Sequence, residues 1–333
     1  MRKLFLILGV GLFLTHFCTS TGQAEENKKL AQTGFQFLSV ASDARATAMA
    51  NAVNSLEFGS AALFFNPAGM ANMPQFIDLS LSNNKWIADI NHNTFSVAIS
   101  PWRGKYGVVG VSVQTVDYGE LQGTVVADNS LGYIDTGTFS PSAMAIGVGY
   151  ARALSDRFAV GGQVRWVRQE LGEATIPETD TTTTRVDNRL TPFSFDFGTL
   201  YKTGFKSLTF GMSVRNFSQE IKYEEEGFQL PLVFTLGVSM NVLELMPFKG
   251  PQQALILSID ATHYRSHPEQ LLFGLDYRLL NLVSLRGGYV VGNEEDNLTF
   301  GFGFSQFGIV FDYAYTPFHS FANVQRITAR FSF

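Results

Sequence analysis

The chain has a single cysteine in 333 residues, Cys18, and it falls within the first 24. Once that segment is removed, disulfides and thiol chemistry are both excluded. Charge is scarce too. Only 16 % of residues are charged, against roughly 25 % in ordinary soluble domains. The formal net charge is -5 and no basic run is interleaved with aromatics, so nucleic acid is not a natural partner. Past the first 24 residues no run of about 18 uninterrupted apolar residues occurs, which argues against a helical membrane protein. Histidine is rare: beyond His16 there are His92, His263, His267 and His319. His263 and His267 are four apart, a metal spacing on a helix, but here the segment leaves a strand and turns. No serine is convincingly set against a histidine and an acid. The expectation is therefore no enzyme, no cofactor and no metal.

What is present begins with a targeting segment. Arg2 and Lys3 are basic, Leu4 to Leu14 is apolar, and Gly22-Gln23-Ala24 has small residues at cleavage spacing. A lipid anchor through Cys18 is disfavoured, because His16 and Phe17 stand where small residues are expected. The reading divides the chain into a signal peptide (1–24), an N-terminal plug (25–74) and a barrel (75–333). Glu25 to Leu30 is polar and expected to be loosely held.

Aromatics make up 14 % of the chain, with 31 Phe and 31 Gly, yet mean hydropathy is only +0.07. Strict alternation of apolar and polar residues produces that combination. From Gln75 onward the period is two. Ile77, Leu79 and Leu81 oppose Asp78, Ser80 and Ser82; Phe193, Phe195 and Phe197 oppose Ser194, Asp196 and Gly198. The same pattern marks strands near 95–100, 109–114, 143–150, 158–166, 208–215, 234–239, 255–262, 271–278, 283–289, 298–304, 309–314 and 326–333. That is about fourteen strands, an even number, as in bacterial outer-membrane barrels. The fold class expected is an all-β membrane barrel of antiparallel strands, with the apolar face to lipid and the charges in the lumen.

The connections alternate in length. Asn83–Asn93, Asp117–Phe139, Leu171–Arg189, Ser218–Leu230, Arg265–Pro268, Gly292–Asn297 and Thr316–Ala322 are mostly long and polar. Those at the other end are tight, except Val242–Gln253, where a short helix is expected. Long loops facing outward and short turns facing the periplasm is the outer-membrane asymmetry, and it places both termini in the periplasm. Glu224-Glu225-Glu226 and Thr181 to Thr184 read as solvated loop. Trp86, Trp102 and Trp166 are candidates for interfacial girdles.

The expected lumen holds Asp78, Asp196, Asp260, Asp276 and Asp312 with Arg165, Arg215, Arg278, Arg286, Arg326 and Arg330. Mutual pairing, and pairing with the plug, is favoured over a polar path for a solute. The C-terminal Phe331 and Phe333 resemble the signal read by outer-membrane assembly machinery. Glycine-rich strands four and twelve are candidates for a bend that opens the wall.

One stretch breaks the alternation. From Asp43 to Met73 the spacing looks helical, with Ser42 or Asp43 capping a helix through Ala52 and Ser60 capping a second. Asn66 ends that second helix, and Pro67 prevents its continuation. Gln36-Phe37-Leu38, Asp43-Ala44-Arg45-Ala46, Met49 and the block from Ser60 to Met70 resemble the N-terminal hatch of the FadL-like barrels, most closely their PorV/PorQ branch. The match departs at Ser42, Ala50-Asn51 and Gly59. The resemblance implies an outer-membrane barrel of a Gram-negative bacterium, with plug motif Asn66, Pro67, Ala68, Gly69 and Met70 serving as a hinge between plug and wall. It also implies a non-enzymatic part in type IX-like secretion or surface attachment, with secreted cargo or a secretion complex as partners. Alternatives are FadL-like uptake of a small hydrophobic ligand, and a structural barrel or adhesin. Outer-membrane lipid is a partner in every case.

Overall fold

The computed structural model describes residues 33–179, 182–222, 227–246, 252–293, 297–318 and 321–333. The signal segment, Cys18, Glu25 to Leu30, Thr181, Glu224 to Glu226 and His319 lie outside them.

Fourteen antiparallel strands form the wall: β1 Ile77–Lys85, β2 Asn91–Ile99, β3 Val108–Asp117, β4 Ser142–Ala153, β5 Phe158–Thr179, β6 Phe193–Lys202 and β7 Thr209–Phe217, then β8 Val233–Asn241, β9 Gln253–Tyr264, β10 Gln270–Leu279, β11 Val283–Val291, β12 Leu298–Gln306, β13 Ile309–Thr316 and β14 Val324–Ser332. Each pairs with its neighbours in sequence, and β1 pairs with β14, so the ring is closed. Closure gives every wall strand two hydrogen-bonded neighbours, which is what a spanning sheet needs in hydrocarbon. Among the described residues no helix is long and apolar enough to cross a membrane.

Alternation sets the faces. On β1, Leu79 and Leu81 point outward while Asp78, Ser80 and Ser82 are buried in the bore. On β10, Leu271 and Leu275 are exposed outward while Asp276 is fully buried inward. In a soluble protein those exposures would be a liability; here they form the lipid-facing band.

The two ends differ. At one end the turns are tight: Leu280 and Asn281 turn with positive φ, and Gly308 with φ +78. Val242–Leu245 forms a single 3-10 turn where a short helix was expected. At the other end strand pairing runs on beyond the wall. Leu121–Val126 pairs with Tyr133–Phe139, and Thr182–Leu190 pairs with the far half of β5. The sequence reading treated these as loops. They are ribbons, because their β-branched and aromatic residues favour the extended, paired backbone.

One irregularity interrupts the wall. The β6–β7 register shifts between Val214 and Phe217, and Asn216 there has φ +61. The pairings of the glycine-rich β4 and β12 carry no such shift.

Candidate functional site: a plugged lumen

The segment from Thr33 to Phe76 occupies the bore. Thr33 bridges Gln229 beside the long loops, and Ile77 opens β1 at the short-turn end, so the segment runs the length of the barrel. Phe333 lies at the short-turn end, paired with Ile77. The first described residue therefore sits opposite to where the periplasmic-terminus reading placed the start of the chain. At the long-loop end, Phe35, Phe37 and Leu38 pack against Val116, Val167 and Leu230 and fill the bore.

Helix α1 is short, Ala44–Ala48, and not the run through Ala52 that alanine content predicts. Ala50 and Asn51 take positive φ and turn the chain away. The wall decides this: a Cβ on Gly288 would lie 2.3 Å from Ala50 N, and one on Gly274 2.7 Å from Met49 O. The backbone turns where two inward glycines let it touch the sheet. Asp43 caps α1 as expected, its Oδ1 accepting from Ala46 N at 2.9 Å. Ser60 caps nothing. Gly59–Phe64 is a 3-10 turn, and the Ser60 amide is instead taken by Asp78 Oδ1 at 2.7 Å.

The Asn66–Met70 motif is fully buried. Asn66 Nδ2 donates to Asn54 O at 2.7 Å and to Thr199 O at 3.1 Å, while Asn66 Oδ1 accepts from Ala68 N at 3.1 Å. Pro67 and Ala68 lie under Gly161, where a Cβ would come within 2.5 Å of their backbone. Gly69 admits a close approach to Leu56 O, and Met70 packs beside Leu63 against Gly110. This turn is fastened to β5 and β6. Residues 71–76 lead from it to β1.

The inward charges form two groups with the plug between them. Arg286 donates to Asp276 at 3.1 Å and to Asp312 at 2.7 Å, and Arg278 donates to Asp276 at 2.7 Å. Arg330 donates to Asp43 Oδ2 at 3.1 Å, and Arg45 Nε approaches Asp276 at 3.6 Å. Arg326 donates to Ala41 O and to Thr316 Oγ1. On the opposite wall, Arg165 donates to Asp196 at 2.9 Å, and Asp196 also accepts the Asn216 amide at 2.7 Å. That bond explains the β7 bulge: the ladder amide of Asn216 turns inward to a buried carboxylate. Arg215 donates to Phe64 O, and Asp260 accepts the Asn54 amide at 2.9 Å. Asp78 accepts from Ser332 at 2.6 Å as well as from the plug. Each of the eleven lumen charges thus meets a plug atom or an opposite charge.

Sequence reasoning missed Asn54. It donates to Asp260 and Thr235, accepts from Ser213 Oγ at 2.6 Å, and offers its carbonyl to Asn66. Nothing local marks it, because its partners are distant in sequence. Arg45 was seen only as part of a motif, yet it stacks 4.6 Å over Phe58 and faces Asp276. Strand glycines four and twelve also gain a reason: Gly149 faces Leu63 and Gly301 faces Ala48 of the plug.

Within the bore, plug and wall enclose a gap lined by Ser42, Arg215, Asp260 and Tyr264 and by Phe64 and Phe65. Its volume of about 40 Å³ takes a few waters. Cavities that hold benzene are on the order of 150 Å³.

The remaining candidates lie apart. His263 pairs with Glu269 at 3.0 Å, His267 with Ser266 at 2.7 Å, and no cluster of three metal-binding side chains occurs among the described residues. Trp86 packs inward between His92, Phe318 and Arg326, so it is not part of an outer girdle. Trp102 is 74 % exposed at the short-turn rim, and Trp166 is half-buried on the outer face. Phe331 pairs with Leu79 and Ile309 on that face, and Phe333 is exposed at the rim.

The family model for the type IX secretion system protein PorV matches residues 23–245. The chain belongs to the PorV family. It is an outer-membrane β-barrel of a Gram-negative bacterium. No curated relative matches this PorV-family sequence. Among solved structures it is similar to the toluene transporter TbuX of Ralstonia pickettii, with TM-score 0.59 and 13 % identity, over 87 % of this chain and 98 % of that one. It is similar to the monoaromatic hydrocarbon channel CymD, with TM-score 0.59 and 13 % identity, over 88 % and 98 %. A Pseudomonas aeruginosa FadL homologue gives TM-score 0.52 and 12 % identity, over 88 % and 99 %. At such identities the likeness is one of fold: this PorV-family chain shares the FadL-type barrel.

Proposed function

We propose that this PorV-family barrel is a non-enzymatic component of a type IX-like secretion or surface-attachment pathway. The observation that carries the reading, beside family membership, is the state of the bore. It is filled by a segment hydrogen-bonded to most of the wall, and the gap enclosed within it is water-sized. A barrel so filled works through the surfaces at its ends. The paired ribbons, 121–126 with 133–139 and 169–179 with 182–190, are the surface offered to exported cargo at the long-loop end. Residues 33–76 act as the plug, lipid surrounds the apolar band, and the C-terminal Phe331 and Phe333 serve the assembly machinery.

Uptake of a small hydrophobic compound is the second reading. It is favoured by the shared fold with toluene and hydrocarbon transporters. It requires the plug to move, since the gap enclosed in the bore is too small for a hydrocarbon. Deletion of the gene followed by profiling of surface-exposed proteins separates the two. Loss of surface cargo with normal growth on hydrocarbons or lipids is expected. Unchanged surface cargo with lost growth on such a carbon source would sink the secretion reading.

A further inference from the structure

At the short-turn end the plug and the wall leave an open basin of about 630 Å³. Five cations line it: Arg45 from the plug, Arg157 beside the β4–β5 turn, Lys202 and Lys206 around the β6–β7 turn, and Arg278 from β10. Two carboxylates face them, Glu57 and Asp156. Glu57 is already engaged by Lys202 at 2.6 Å. Asp276, behind Arg45 and Arg278, is shared with Arg286. Arg157 and Lys206 make no ion pair among the described residues. Arg45 is about nine-tenths buried, and its Nε lies 3.6 Å from Asp276 Oδ2.

Leu56, Met240 and Ile256 line it as well. The basin therefore offers several separated cations together with apolar side chains.

We propose that this basin docks an acidic segment of a protein partner approaching from the short-turn side. The spread of cations over the plug and three separate parts of the wall decides against one small anion, which would meet one or two of them. A chain carrying several carboxylates meets them together, each as a charge-assisted contact. The basin cations share a cavity with plug residues Ser55, Leu56 and Glu57, so they face the bore. Phospholipid headgroups lie outside the wall, alongside Trp102, Phe205 and Phe307, which are exposed at the turn tips. The inference does not rest on the secretion reading: binding is measured in vitro, while that reading is decided by surface-protein profiles.

The test uses the full-length barrel in neutral detergent and a labelled ten-residue Glu/Leu peptide, read by fluorescence anisotropy. The Gln/Leu peptide of the same length is the comparison. Expected are at least tenfold tighter binding of the Glu peptide, a steep loss between low and high salt, and at least a tenfold loss in Arg157→Glu/Lys206→Glu. Arg103→Glu, on the neighbouring β2–β3 turn outside the basin, keeps full binding. The folded barrel is checked by its unheated gel mobility. If the double variant fails to fold, the single changes Arg157→Gln and Lys206→Gln replace it, with a severalfold loss expected from each. Equal binding of the two peptides, or full binding by the folded variants, overturns the proposal. So does complete displacement of the peptide by equimolar inorganic phosphate, or by phosphatidylglycerol micelles, which would give the basin to a small anion or to lipid.

Discussion

Asp43 does two jobs with one carboxylate: Oδ1 caps α1 and Oδ2 holds Arg330. Removing it leaves a buried guanidinium short of its partner, a loss worth about 3–5 kcal/mol. Asp43→Ala should therefore lower the thermal midpoint of the folded barrel strongly, measured by loss of unheated gel mobility. Asp187→Ala, which removes an exposed pair with Arg189, should shift it by less than about 1 kcal/mol. His267 offers a pH test outside the membrane. Burial pushes its ring below the ordinary histidine value. A depressed histidine pKa means the neutral form suits the fold, so stability is full above the unfolded value and declines as pH falls toward the folded one. Amide exchange across residues 265–269, corrected for intrinsic rates, should be faster at pH 5 than at pH 7.5. Single residues were the least legible part of the sequence. Asp43 carried a capping signature, but Asn54 did not, because its partners at 66, 213, 235 and 260 converge only in the closed ring.

Strands were legible because alternation is a local signal and burial of one face enforces it. All fourteen appeared at their positions, and only their extensions into ribbons were missed. The plug was recognised as non-strand but misjudged as helix. Its shape is imposed from outside, by inward glycines that receive its backbone and by carboxylates that take its amides. Gly287 and Gly288 show the difference on adjacent residues. A Cβ on Gly288 would strike Ala50 N and Met49 C, whereas one on Gly287 meets only Thr299 O at 4.0 Å. Gly288→Val should unseat the plug, at a cost of at least 1–3 kcal/mol, and expose residues 44–71 to protease in the intact barrel. Gly287→Val should leave the digestion pattern unchanged. Equal sensitivity of the two would show that the glycines do not shape the plug.

For the whole molecule, the strongest sequence signal was the contrast between long and short connections. It predicts sidedness. In a Cys18-free background, Asn129→Cys in the ribbon should react with an impermeant maleimide on intact cells, and Ser207→Cys at the short-turn end should react only after lysis. The reverse pattern would invert the barrel. What the sequence could not convey was how the plug lies. Its path depends on contacts from every side of the ring, and no periodicity records them.

That path has a consequence for the order of assembly. Because β1 and β14 are hydrogen-bonded to each other, the ring is sealed by its first and last strands. The stretch ahead of β1 runs through the inside of that ring to the opposite rim. Threading the chain through a finished cylinder would carry Asp43, Asn54 and Asn66 through the bore before their buried partners could be met. The stretch is more simply laid down first, with the wall curling around it strand by strand until β14 meets β1. On that route the plug works as a mandrel, and its glycine contacts set the curvature on which the seam can meet.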